Sequence, residues 1–289
     1  MARSQNHASF PAYRPRRLRA QPALRDMVRE NTLTPADLIW PVFVMDGQDD
    51  AHPIASMPGV SRHTVDRLPA LAAKACSLGI PAICIFPYTN PAFKTQDCAE
   101  AWNPDNLSNR AIKAIKSAVP DIMVMTDIAL DPYNINGQDG IVRAGEIVND
   151  ETVAALVKMG ESQAQSGADI LGPSDMMDGR IAALRGMLEQ KGFQNVNILS
   201  YSAKYASGFY GPFLDAVGSA RVLIGDKNTY QMDPANSNEA MRMIARDLSE
   251  GADLVMVKPG MPYLDICQRA KAEFQVPTFA YQSPANTRC

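Results

Sequence analysis

Leu254-Val255-Met256-Val257-Lys258-Pro259-Gly260 is the stretch on which the fold turns. A strand-length apolar run ends on a lysine and is stopped by Pro-Gly. Continuous apolarity is what a strand covered on both faces requires, and α/β barrels carry their working groups at strand C-termini. Working outward, the run spans 252–259, and six more share its form at 38–45, 81–88, 121–130, 168–174, 196–203 and 277–282. Amphipathic stretches lie between them: Leu68, Leu71, Ala72 and Ala75 make one stripe, and Ala111, Ile112, Ile115 and Ala118 another. Segments 151–166, 180–191, 237–250 and 262–273 complete the helices, and Gly79, Gly167 and Gly251 sit where C-terminal caps belong. Repeated β-then-α units predict a parallel sheet with right-handed crossovers. Seven strands fall short of the roughly eight that close a barrel, so the expected fold is an incomplete α/β barrel. Residues 1–36, rich in Arg and Pro, form an arm expected to pack on another subunit, and 37–289 form the catalytic barrel domain.

Composition narrows the function. With 46% hydrophobic residues in 289, the chain can bury a sizeable core, and a net charge of -3 argues against nucleic acid as the main partner. No apolar run approaches the ~18 residues of a membrane span, and the polar, basic start does not read as a signal peptide. Cys76, Cys84, Cys98, Cys267 and Cys289 form no CxxC and no zinc-type spacing with histidine. Cys84 and Cys267 lie in apolar segments and are expected to be reduced core thiols, which fits a cytoplasmic protein.

Lys258 ends a strand that is otherwise apolar. A buried, unpaired ammonium is expensive, so its pKa is expected to fall, and a neutral amine in an apolar site is what condensation with a carbonyl requires. The alternative is a lysine that snorkels at the strand end. Lys204 follows the previous strand, after Ser200-Tyr201-Ser202-Ala203. Alone it is an ordinary loop lysine; at one mouth with Lys258, each ammonium would lower the other's pKa. Asp127, Asp131 and Asp139 form an acidic cluster at and after a strand end. They suit a divalent cation or, equally, proton transfer and lysine pairing. Asp175 and Asp178 add acid at the next strand end, with Asp178 alternatively an N-cap for the helix starting near Gly179.

Longer motifs extend this. YSAKYASGFYGPF (201–213), GDKNTYQMDPAN (225–236), GADLVMVKPGMPYLD (251–265), PSDMMDGR (173–180), DIALDPYNINGQDG (127–140) and RPRRLRAQPALRDMVRENTLTPADLIWPVFV (14–44) together resemble the porphobilinogen synthase (5-aminolevulinate dehydratase) family. The resemblance runs from about residue 14 to Gln282. It implies a TIM barrel with an N-terminal arm, assembled as a homo-octamer or hexamer through the arms. It also implies condensation of two 5-aminolevulinate molecules into porphobilinogen with loss of two waters. By the motif match, Lys204 and Lys258 each form a Schiff base with one substrate. Asp127 joins them as a catalytic group, Ser174, Tyr210 and Asp139 line the site, and Lys227 and Gln231 lie on a lid segment, with Lys227 expected to meet a substrate carboxylate.

The chain departs from the family's pattern in several places. Zinc-dependent members carry cysteines in the aspartate-rich loop where this chain has Ala129, Asp131 and Asp139, so no catalytic zinc is expected. Magnesium-stimulated members place a glutamate where this chain has Met243, so no allosteric magnesium is expected and no metal ligand is assigned. Leu214 stands where the family has a carboxylate-clamping arginine, a contact worth roughly 1.5–3 kcal/mol. After Gln282 the family continues V-S-G-E-Y-A-M toward an eighth strand, whereas this chain reads Ser-Pro-Ala-Asn-Thr-Arg-Cys. Removing one G from CAG GTC TCC GGC GAA TAC GCG ATG leaves codons for Q-S-P-A-N-T-R followed by Cys or Trp, so a single-base frameshift is expected. The last strand and helices would then be missing, leaving β-edges of the first and seventh strands unpaired and the fold and turnover impaired. Two rivals remain: a class I aldolase-type barrel using one lysine, and an inert subunit that joins intact partners through its arm.

Overall fold

The computed structural model of the chain describes residues 9–219 and 222–282. Its strands are β1 (Ile39–Met45), β2 (Ala51–Pro53), β3 (Ser61–Thr64), β4 (Ala82–Tyr88), β5 (Met123–Ile128), β6 (Val142–Arg143), β7 (Glu146–Ile147), β8 (Ile170–Pro173), β9 (Asn197–Lys204), β10 (Leu254–Lys258) and β11 (Thr278–Ala280). Its helices are α1 (Pro22–Met27), α2 (Leu68–Ser77), α3 (Leu107–Ala118), α4 (Asn149–Gln165), α5 (Arg180–Lys191), α6 (Gly211–Ala216), α7 (Ser237–Ser249) and α8 (Leu264–Phe274). The seven expected runs are β1, β4, β5, β8, β9, β10 and β11, all parallel, in the sheet order β11-β10-β9-β8-β5-β4-β1-β3-β2.

The strands bury both faces, which is why their sequences are continuously apolar. Phe43, Phe86, Met125, Ile170, Leu199 and Met256, from β1, β4, β5, β8, β9 and β10, meet in one interior cluster, with Phe279 of β11 against it. Alternate residues such as Val42, Val44, Ile83, Ile85, Val124 and Leu171 point outward to helix residues including Ala72, Ile112, Leu156 and Leu184. Ala203, Val255 and Val257 likewise pack on Ala240, Ile244 and Ile266 of α7 and α8. The curl of the sheet brings Phe86 of β4 within 6.1 Å, ring to ring, of Tyr281 just past β11. The architecture is therefore a TIM-type α/β barrel with an open seam. Gly79, Gly167 and Gly251 cap α2, α4 and α7 at φ of 78°, 104° and 103°, the left-handed conformation that favours glycine.

Three expectations need correction. The outer edge of β1 is not wholly bare, because Ser61–Thr64 returns alongside it and pairs Phe43 with Arg62, Val44 with His63 and Met45 with Thr64. Among the described residues the edge left open is the first half of β1 and all of β11, and a cavity of about 590 Å3 lies there, lined by Ile39, Pro41, Thr278 and Phe279 among others. Asp178 does not cap α5. Gly179 holds the N-cap position at φ 79°, and the Asp178 carboxylate pairs instead with Arg246 at 2.5 Å. Cys84 is buried as expected, but Cys267 is only half-buried and Cys98 is the second buried thiol.

Between residues 9 and 38 no side chain is buried, and Phe10, Tyr13, Leu18, Met27 and Leu33 are exposed apolar groups. Among the described residues no helix is long and apolar enough to cross a membrane. The start of the arm (1–8) and the expected frameshift tail (283–289) lie outside the described residues.

Candidate active site

At the C-terminal ends of the strands is a cavity of about 510 Å3, lined by all eight residues that the motif match assigned to the site, Lys204, Lys258, Asp127, Asp139, Ser174, Tyr210, Lys227 and Gln231, whereas Asp175 is buried away from it, 3.5 Å from Arg180. Asp131 and Leu214 line it too. Such clustering follows from the fold, since every parallel strand delivers its last residue to the same end.

The two lysines are strand partners: Lys258 of β10 stands opposite Lys204 of β9. Reaching that pairing takes one extra residue. Val255 pairs with Ser200 but Val257 with Ala203, so Tyr201 and Ser202 together oppose Met256. This is a β-bulge, a device that re-aims side chains beside active sites. Leu199 and Tyr201 face the barrel interior, while Ala203 lies with the helix-side cluster. Uninterrupted pairing would have set Ala203 opposite Lys258; the bulge sets Lys204 there instead.

Their surroundings differ. Lys204 donates to Asp139 Oδ2 at 2.8 Å and to the Ser174 carbonyl just past β8. Lys227 donates to the other oxygen of Asp139 and lies 3.9 Å from Asp131. Burial works against the Asp139 carboxylate, but Lys204 and Lys227 together outweigh it and hold its pKa below the ordinary value. Burial also opposes the Lys227 ammonium, and Asp139 and Asp131 reverse the balance and raise its pKa.

Among the described residues no hydrogen bond or ion pair reaches Lys258 Nζ. Four rings surround it instead: Phe213 and Tyr281 at 4.1 Å and Tyr201 and Tyr210 at 5.4 Å from their centroids. Burial, and then Lys204, lower its pKa to about 7, against the pull of Asp127. Asp127 is raised to about 7, chiefly by burial and then by Asp131, and its Oδ1 is buried without a hydrogen-bond partner. Asp131 is likewise raised by burial, with Lys227 opposing. An amine whose pKa is lowered to about 7 and a protonatable carboxyl with one unbonded oxygen are a pair suited to carbonyl condensation.

The loop after β5 brings Asp139 in by local bonding. Asn134 Nδ2 donates to the Gly140 carbonyl at 2.7 Å, and Leu130 N to the Asp139 carbonyl at 3.1 Å. The loop is then stitched to the segment carrying Lys227. Gln138 Nε2 donates to the Ile224 and Asp226 carbonyls at 2.8 and 2.9 Å, and Tyr230 Oη to Gln138 Oε1 at 2.6 Å. Gly137, at φ 66°, lets the backbone of Leu223 approach to 3.0 Å of where a Cβ would sit. Gln231 is buried beside these groups, its backbone N bonded to the Lys227 carbonyl at 2.8 Å. Tyr210 Oη donates to the Tyr205 and Lys258 carbonyls at 2.7 and 3.1 Å. Sequence reasoning missed Gln138, Tyr230 and the rings of Tyr201, Phe213 and Tyr281. Tyr201 could have been found from strand phase, which turns it inward just below Lys204.

Comparison with known proteins is consistent with this geometry. The family model for delta-aminolevulinic acid dehydratase matches residues 12–285. The delta-aminolevulinic acid dehydratase of Rhodobacter capsulatus is 57% identical over 273 residues, covering 94% of this chain and 82% of that protein. That of Bradyrhizobium diazoefficiens is 56% identical over 271 residues, covering 94% and 77%. Among solved structures, Toxoplasma gondii ME49 delta-aminolevulinic acid dehydratase (porphobilinogen synthase), in complex with the reaction product porphobilinogen, aligns with TM-score 0.92 at 47% identity, covering 94% of this chain and 78% of that one. The chain belongs to the delta-aminolevulinic acid dehydratase (porphobilinogen synthase) family of tetrapyrrole-forming lyases.

Proposed function

We propose that this chain condenses two molecules of 5-aminolevulinate into porphobilinogen, with Lys204 and Lys258 as its two imine-forming amines. The in-register pairing of the two lysines at one cavity carries this reading. In a barrel with one imine-forming lysine the second amine would act only electrostatically, lowering the pKa of the first. Lys258, with its lowered pKa, is the amine poised to attack a ketone, and Asp127 is the acid that supplies a proton to the departing oxygen. Asp139 orients Lys204 and Lys227, and Lys227 is the cation on hand for a substrate carboxylate. Tyr210, braced on the Lys258 carbonyl, and Ser174, whose carbonyl meets Lys204, fix the two strand ends. The test is borohydride reduction in the presence of 5-aminolevulinate, followed by peptide mapping. Adducts at both lysines and porphobilinogen in the unreduced reaction are expected; adducts at one lysine alone would sink the reading.

The same proposal includes no metal cofactor. The residues at the aspartate-rich loop do not fit zinc: Ala129 offers no ligand, and both oxygens of Asp139 are taken by lysines. Nor does Met243 supply magnesium with an oxygen ligand at the position where stimulated members place a glutamate, and the Asp178 carboxylate in the same groove is neutralised by Arg246. Activity that is lost to a chelator and restored by either metal would overturn this. The exposed apolar groups of residues 9–36 support the arm as the element through which copies assemble into a hexamer or octamer. The cysteines Cys76, Cys84, Cys98 and Cys267, all unpaired, support a cytoplasmic setting. Light scattering on the purified chain measures the assembly, and a monodisperse monomer would count against the arm's role.

A further inference from the structure

Lys258 Nζ sits in a box of π-faces and makes no hydrogen bond or ion pair with the described residues. The rings are held in place by one another. Phe213 meets Phe86 edge-on at 5.0 Å and Tyr281 edge-on at 6.1 Å, and Tyr201 lies 6.2 Å from Tyr281. Tyr210 is fixed through its hydroxyl. Rings arranged in this way bind cations that do not depend on hydrogen bonds, as aromatic cages do for quaternary ammonium groups. An ammonium is a poor guest for such a box, because the rings offer its three N–H donors no lone-pair acceptor. An iminium has one N–H and a charge spread over nitrogen and carbon, so it loses far less there.

We propose that the four rings around Lys258 form a cation cage whose proper guest is the iminium made with the substrate ketone, with Phe213 one of the two rings nearest that charge. This deepens the assignment of Lys258 as an imine-forming lysine and rests on it. In the step concerned, the neutral amine attacks the ketone carbon and the carbonyl π electrons move to oxygen. One hydrogen from nitrogen and one proton from an acid such as Asp127 then leave with that oxygen as water. The product is a protonated C=N inside the cage. By this account the cage favours the intermediate over the resting ammonium, and so raises the fraction of Lys258 present as iminium without holding the free lysine charged.

Other groups also act on this nitrogen and must be held constant. They are Lys204 from β9, Asp127 from β5, Asp131 and Asp139 from the loop after β5, Cys84 from β4, and the hydroxyls of Tyr201, Tyr210 and Tyr281. Fluorinating Phe213 leaves all of them untouched, since it weakens the ring's quadrupole with little change of shape.

The experiment places mono-, di- and trifluorophenylalanine site-specifically at Phe213 in the full chain. It measures borohydride-trapped adduct at Lys258 from 5-aminolevulinate across pH, with the Lys204 adduct in the same digest as the internal standard. Lys258 trapping should fall stepwise with fluorination, by about tenfold across the series, while Lys204 trapping stays level. Phe213→Leu, which keeps the apolar bulk, should behave like the most fluorinated ring. An adduct at Lys258 that ignores ring fluorination overturns the cage alone. No Lys258 adduct in the unsubstituted protein overturns the imine assignment and the cage with it.

Discussion

Lys204 and Lys258 end neighbouring strands and face one cavity, yet one is held by a carboxylate and a carbonyl and the other by four aromatic rings. The difference teaches how one site can treat two identical amines unequally. Lys204 sits in a network of opposite charges in which Asp139 serves two lysines. Lys258 has burial and a like charge working against its ammonium, and the pull of Asp127 from a distance does not make up for them. A low-dielectric site magnifies both effects. The amine without a partner is the one free to attack, and the amine with partners is the one held in a defined position.

The comparison is broken most drastically by removing either amine. Lys204→Met and Lys258→Met should each lower porphobilinogen formation by roughly 10^4-fold or more, and the double variant should lose little beyond that, because groups acting as a unit are not additive. A single variant that keeps most of its activity would mean that only one amine is needed. Next comes the anchor on the Lys204 side. Asp139→Asn leaves buried Lys204 without a carboxylate and Lys227 with Asp131 alone, and should cost about 3–5 kcal/mol of stability in urea titration. Adduct formation at Lys258 should survive it; equal loss at both lysines would erase the distinction between the two surroundings.

A smaller effect is expected beside the Phe213 ring. Leu214 lines the cavity one residue on, and Leu214→Arg should lower KM for 5-aminolevulinate by roughly tenfold or more, the worth of one charge-assisted contact. An unchanged KM would refute the register that sets this position against the family's arginine. The smallest effect concerns pH. Lys258, lowered to about 7, must be neutral to attack, so activity should rise through that pH. Asp127, raised to about 7, must be protonated to act as an acid, so activity should fall as pH goes on rising. The expected kcat/KM profile is a bell near neutrality that belongs to the pair. Asp127→Asn should abolish the alkaline limb. It should also move the acid limb to lower pH, because Asp127 is one of the groups that favour the charged form of Lys258. An acid limb that stays in place would show that the two groups do not interact.

Much of this was legible in the residues. Seven apolar runs became seven parallel strands because burial on both faces leaves an unmistakable pattern. All the site residues picked from motifs line one cavity, because strand ends in such a fold converge. What was not legible depended on tertiary geometry. Ser61–Thr64 is too short and too polar to announce itself, and it forms a strand because the upper edge of β1 receives it on one side and β2 on the other. Asp178 looked like a helix cap, yet the left-handed Gly179 intervenes and Arg246 claims the carboxylate. The rings of Phe213 and Tyr281 read as ordinary core until Lys258 is seen among them. Strict alternation from Tyr201 would have turned Lys204 toward the helices, and Ser202 alone undoes that.

The open seam bears on motion as well as on architecture. Backbone groups along the first half of β1 and along β11 have no strand beyond them among the described residues, and edges of that kind open locally at little cost. Amide exchange should therefore be fastest at Thr278–Ala280 and slowest in β4 and β5, which lie inside the sheet. Tyr281 follows directly on that edge, tethered by its backbone N to the Val257 carbonyl at 2.9 Å and by its own carbonyl to Gly260 N at 2.8 Å. Each time the edge lifts, one wall of the Lys258 box goes with it. Breathing at the side of the barrel is thus mechanically tied to the charge environment at its mouth.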